Sequence, residues 1–167
     1  MTSPVRRCTD EIHSQFSYWA TWLSTSRVRL GDLGPVLELA DRAVTGTEQN
    51  IVYDWFLLAR GMADYRAGQF ANAIDCLNKV LSMNRDTPYR TDRSLPATAY
   101  LFLAMAHHHL GRVHEARHAL NQATELMEQP CPFAAGCRFF HYPDWLRFQL
   151  VRPEAERLVK GKAEPLK

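Results

Sequence analysis

Five of the seven histidines in this 167-residue chain fall close together, as His107, His108, His109, His114 and His118. Imidazole binds zinc and exchanges protons near neutral pH, so such a run is the first place to look for chemistry. On a helix, neighbouring residues point about 100° apart, and at most two of His107, His108 and His109 can share one ligand. His114 and His118 are i, i+4 neighbours beyond a turn. A working zinc site wants a third ligand and a general base, and no HExxH pattern supplies them. The plainer reading makes these core and surface histidines. Cys131, Cys137 and His141 form a second set of zinc-type ligands, with CPFAAGCRFFH as their sequence. A closed site needs four ligands. Without a fourth, the spacing belongs to an aromatic packing stretch, FAAGCRFFHY.

Other chemistry is missing from the pattern of residues. There is no GxxxxGK[ST], no GxSxG, no glycine-rich dinucleotide loop, and no HRD or DFG. A non-enzymatic protein is expected, with no cofactor. The 20 Lys and Arg are interspersed with 18 Asp and Glu, for a formal charge of +2. No basic face is implied, which argues against a nucleic-acid partner. No apolar run approaches the roughly 20 residues of a membrane span, and MTSPVRRCTDEIH lacks the apolar middle of a signal peptide. A cytoplasmic location is the default expectation. Four cysteines, Cys8, Cys76, Cys131 and Cys137, are few for a stapled secreted fold, and reduced thiols are expected.

What must position these residues is a helix pair that occurs twice. In Asp54 to Leu81 the residues Leu57, Leu58, Gly61 and Tyr65 fall at helical spacing, and Gly68 ends that helix. Phe70, Ala73, Ile74, Leu77, Val80 and Leu81 then stripe a second one. The turn Ala67-Gly68-Gln69 is so short that the two helices must be antiparallel neighbours, and Gly61 and Ala73 let their axes approach. The pattern returns at Ala97 to Met127, with Ala104, Gly111 and Ala116 in the places of Gly61, Gly68 and Ala73. Both copies read small-x6-Gly-x4-Ala-x3-Leu. This resembles the tetratricopeptide repeat (TPR), whose unit is 34 residues long. The chain departs from that family in carrying Asp64 and His107 where an aromatic is preferred, and in lacking a proline directly after Leu81 or Met127. The phrases ADYRAGQFANAI, FLAMAHHHLGRVHEAR and WLRFQLVRPEAERL further resemble TPR segments attached to planctomycete Ser/Thr kinases and related bacterial multidomain proteins. CPFAAGCRFFH resembles the last three ligands of a CCCH zinc finger, but that family's remaining Cys would fall near Gln122, on a predicted helix.

The resemblance implies an all-α fold, a right-handed α-solenoid of three TPR-like helix pairs plus a C-terminal capping helix. A length of 167 residues with 46% hydrophobic content suits one domain. Residues 1–9 are expected to be a flexible tail, residues 10–160 a single TPR domain, and residues 161–167 a second tail. The repeats fall at about 10–47, 51–84 and 96–128. In the first, a helix over about 10–30 carries Phe16, Trp19, Ala20, Leu23 and Val28, and Pro35 opens its partner. The excess over 34 residues goes into loops, TGTEQN at 45–50 and NRDTPYRTDRSLP at 84–96. The second loop reads either as a solvated linker or as a binding element of the kind solenoid insertions supply. Over 143–160 a capping helix is expected, with Trp145, Leu146, Leu150 and Val151 toward the repeats and Pro153 kinking it or starting a new helix.

In TPR arrays the first helix of each repeat lines a concave groove. That register places there Tyr18, Trp22 and Arg29, then Trp55, Leu58, Met62, Tyr65 and Arg66, then Leu101, Phe102, Met105, His108 and His109. Clamps for a carboxylate-ended peptide use Lys, Arg and Asn where this chain has Ala59, Met62, Thr98 and Phe102, so such a clamp is not expected. Two readings follow. In the first, the apolar, aromatic groove is an open site for a protein or peptide partner, an amphipathic helix or extended apolar segment, with Trp55, Met62, Tyr65, Phe102 and Met105 as anchors. In the second, the chain is a structural or self-association module whose groove is filled by its own C-terminal helix or by a second copy in a homodimer, since large exposed apolar patches are rare on monomers.

Overall fold

The computed structural model describes residues 33–46, 48–49, 53–83, 93–128 and 142–161, with the backbone alone for 142–145. These residues form six helices and no strand: α1 (Gly34–Val44), α2 (Tyr53–Arg66), α3 (Phe70–Ser82), α4 (Ser94–His109), α5 (Val113–Glu128) and α6 (Tyr142–Lys160). Together they make an all-α helical-repeat solenoid, with α2–α3 and α4–α5 as successive hairpins. The expected first helix at 10–30 and most of the 84–96 insertion lie outside the described residues.

Local sequence accounts for the helix ends. Pro35 sits in the first turn of α1, where its missing N–H would have had no intrahelical partner. Pro96 does the same for α4, which therefore starts at Ser94, two residues before the expected boundary. Gly68 and Gly111 close α2 and α4 with φ of +77° and +72°. In both turns the amide after the glycine bonds back to the last helical turn, Gln69 to the Asp64 carbonyl (2.8 Å) and Arg112 to the His107 carbonyl (2.9 Å). This left-handed closure satisfies carbonyls that the helix end would leave open.

The helices divide into two kinds. The second helices are amphipathic: Ala73, Ile74, Leu77 and Val80 are buried on α3, and Ala116, Ala119, Leu120 and Ala123 on α5, while the opposite faces are polar. The first helices are buried nearly all round. On α4 every residue from Ser94 to Met105 is buried except Tyr100. A helix enclosed on all sides is core, and α4 lies among α3, α5, α2 and α6.

Close approach within the α2–α3 hairpin depends on Gly61. A Cβ at that position would stand 2.8 Å from Leu77 Cγ and 3.5 Å from the Ala73 carbonyl oxygen. Small residues at 61 and 73 thus set the interaxial distance, as the repeat pattern requires.

Charge completes the junction with α1. Arg60 on α2 holds both carboxylate oxygens of Asp64 at 3.0 Å and also pairs with Asp41 on α1. Burial raises the pKa of Asp64, against the opposing pull of Arg60 and a Cys76 thiol contact. The carboxylate at position 64 therefore has a partner on its own helix, Arg60, which in turn links α2 to α1 through Asp41.

Candidate functional site

The groove residues expected on α2 and α4 do come together, but as core. Leu58, Met62, Phe102 and Met105 have no exposed surface, Leu101 and Tyr65 almost none, and all six belong to one apolar cluster. Trp55 and Arg66, near the two ends of α2, are half-buried, as is His108. Tyr18, Trp22 and Arg29 lie outside the described residues.

Helix α6 is packed over this wall. Phe148, Val151, Ala155 and Val159 form a stripe at spacings of three, four and four, all buried within the same cluster as the wall residues. The expected facing residues were Trp145, Leu146, Leu150 and Val151. Only Val151 is found buried: Leu146 is exposed, Leu150 is half-buried, and the Trp145 side chain lies outside the described residues. The register differs because the apolar stripe with the longer run continues through Ala155 and Val159 to the end of the helix. Pro153 neither ends nor restarts α6; it stands on the exposed side within it.

Beside the stripe, two charged residues seven positions apart reach back to α2. The Arg147 guanidinium, fully buried, lies 5.1 Å from the centroid of the Trp55 ring. Glu154 accepts two bonds from Arg66, at 2.5 and 2.8 Å. Arg66 also lies over the rings of Tyr65 (5.5 Å) and Phe102 (5.7 Å). Burial works against the Arg66 charge, yet the Glu154 bonds outweigh it and the pKa is raised. Burial and the Glu154 carboxylate push the Tyr65 hydroxyl up to about 12. Tyr65 and Phe102 meet edge to face at 5.4 Å.

The histidines are dispersed around this site. His109 stacks on Phe70 (4.5 Å, 4°), and its Nε2 lies 3.3 Å from the Tyr65 hydroxyl. Burial, then His108, lowers the His109 pKa, with Glu154 acting the other way. His107 is also lowered, by burial and then Arg112, while His114 and His118 are exposed on α5. Among the described residues no three His, Cys, Asp or Glu side chains gather as metal ligands. Cys131, Cys137 and His141 lie outside the described residues.

The α2–α5 unit with its short glycine turns invites comparison with known repeats. Residues 55–129 match the tetratricopeptide repeat family model. The match covers the two hairpins in which the small-residue pattern recurs. No curated protein and no solved structure matches the chain, so the likeness to planctomycete kinase segments has no counterpart there. Among the described residues no helix is long and apolar enough to cross a membrane. The matched repeats account for the wall, but Arg147, Phe148 and Glu154 were not singled out from the sequence. Their signal was present as an Arg and a Glu seven residues apart, flanking the 148, 151, 155, 159 stripe.

Proposed function

We propose that the chain is a non-enzymatic TPR protein–protein interaction module whose first-helix wall is filled, in the free molecule, by its own C-terminal helix. The TPR match favours an interaction module over an enzyme. One observation carries the finer reading: α6 presents Glu154 to Arg66 and Arg147 to Trp55 while its apolar stripe shares the core with Phe102 and Met105. The burial of Met62, Phe102 and Met105 speaks against an open groove with these residues as ready anchors, because they offer a partner no surface while α6 is in place.

Substituting Val151→Asp in the full chain tests this reading, because a carboxylate in the apolar contact should dislodge α6. Hydrogen exchange is expected to show residues 146–159 protected in the wild type and exposed in the variant, together with a lower melting temperature. Unprotected α6 amides in the wild type would overturn the proposal.

A further inference from the structure

The placement of α6 differs from that of a helix that simply continues the stack. Between the two hairpins, α4 packs mainly against α3, the preceding second helix, and less against α2. At the end of the array the preference is reversed: α6 lies chiefly on α4 and more lightly on α5. A helix serving only to close the array would cover the flank of α5, yet Leu126 and Met127 there remain half-buried. Helix α6 is instead drawn over the first-helix wall, far enough for two side chains to touch α2.

Its attachment is polar at both touching points. Trp55 offers a ring face to a cation, and Arg66 offers a guanidinium fork to a carboxylate. Such contacts specify register and orientation more than they add net stability, because each charge loses hydration on docking. The apolar part is one Phe, two Val and an Ala, with Leu158 partly buried against them. Pro153 also removes one backbone donor from the helix.

We infer that α6 is a displaceable internal occupant, and that the wall's external partner is an amphipathic helix bearing a cation and, seven residues later, a carboxylate beside an apolar stripe. This rests on the proposal that α6 fills the wall. The complementarity is set by the wall itself: the ring of Trp55 at one end of α2, Arg66 at the other, and Met62, Tyr65, Phe102 and Met105 as the apolar floor. An intramolecular occupant competes at an effective concentration on the order of millimolar, so the closed chain should bind such a helix weakly. Loosening α6 without altering the wall should reveal the site.

A fluorescein-labelled synthetic peptide of residues 142–161 serves as the probe, titrated into full-length chains and read by anisotropy. The Val151→Asp chain, and the milder Glu154→Ala chain should Val151→Asp fail to fold, are expected to bind it at least tenfold more tightly than the wild type. Adding Arg66→Glu to the loosened chain should abolish uptake, and a peptide carrying Glu154→Arg should restore it. Loosened chains that keep native helical content but take up no peptide, or take up both peptides equally, would overturn the inference. Were α6 a permanent part of the core, Val151→Asp would lower the melting temperature with no peptide binding, which sinks this inference alone. An unchanged melting temperature sinks the underlying proposal as well. A wild-type dimer in sedimentation, dissociated by excess peptide, would make a second copy the occupant and overturn the assignment to an external helix.

Discussion

Glu154 and Arg66 are 88 residues apart in sequence, yet the carboxylate of one takes two bonds from the guanidinium of the other. The pair joins the last described helix to the first helix of the matched repeats, over the rings of Tyr65 and Phe102. Both side chains are partly shielded, Arg66 more than Glu154. Hydrogen bonds to charged groups in such settings contribute about 1.5–3 kcal/mol, less where solvent screens them. Reversing either charge should therefore cost about 1–3 kcal/mol, while Arg66→Glu with Glu154→Arg should recover most of the loss. Urea unfolding of the four chains closes the cycle, and additive losses would show that the two residues do not interact in solution.

The hairpin crossing gives a second prediction, separating steric from conformational roles of glycine. At Gly61 a methyl group would press on Leu77 near its branch point, so Gly61→Ala should destabilise by about 1–3 kcal/mol through overpacking. Gly68 has open space around it but a φ of +77°, so Gly68→Ala should cost about 1 kcal/mol through backbone strain alone. In a Leu77→Ala background, itself destabilised by the loss of a buried side chain, the Gly61→Ala penalty should largely vanish while the Gly68→Ala penalty persists.

These glycines also show what the sequence made legible. Gly68 and Gly111 end their helices because few other residues accept that backbone, and Gly61 with Ala73 marks a close crossing; both are local demands, visible in residue type and spacing. The use of the first-helix wall was not legible in the same way. Helix α4 is apolar on every side, so its periodicity cannot distinguish a face that meets α6 from one that meets a partner. Helix α6 carries two overlapping apolar sets, and choosing between them required knowing that Trp55 and Arg66 stand where Arg147 and Glu154 can reach them. That is tertiary information. For Asp64 the i,i+4 partner Arg60 is local, but the reach of Arg60 to Asp41 on α1 is tertiary.

The Asp64 carboxylate depends on Arg60, and this dependence should be visible as a function of pH. Burial raises its folded-state pKa above 3.8, so folding favours the protonated form and the carboxylate costs stability at neutral pH. Arg60 offsets that cost. Arg60→Leu should therefore destabilise the chain by about 2–4 kcal/mol near pH 7, where it strands a buried charge. The loss should shrink as pH falls toward 4 and Asp64 takes a proton. Arg60→Leu combined with Asp64→Asn should lose less at pH 7 than Arg60→Leu alone, and a pH-independent penalty would exclude this account.

His109 should act in the opposite direction along the pH scale. Its folded pKa lies below 6.5, through burial first and the neighbouring His108 second, so the unfolded chain binds the proton more tightly. The stability it contributes is complete above about pH 6.5 and is lost as pH falls through that value toward the folded pKa. His107 is shifted the same way and should add to the slope. The melting temperature should consequently fall between about pH 7.5 and 5.5. His109→Phe keeps an aromatic ring to stack on Phe70 but removes the titrating group and its contact with the Tyr65 hydroxyl. That variant should melt with a shallower dependence over this range, and Tyr65→Phe, which removes the hydroxyl but leaves the imidazole, should retain most of the wild-type slope. An identical slope in His109→Phe and wild type would assign the acid sensitivity to His107 or to histidines outside this contact.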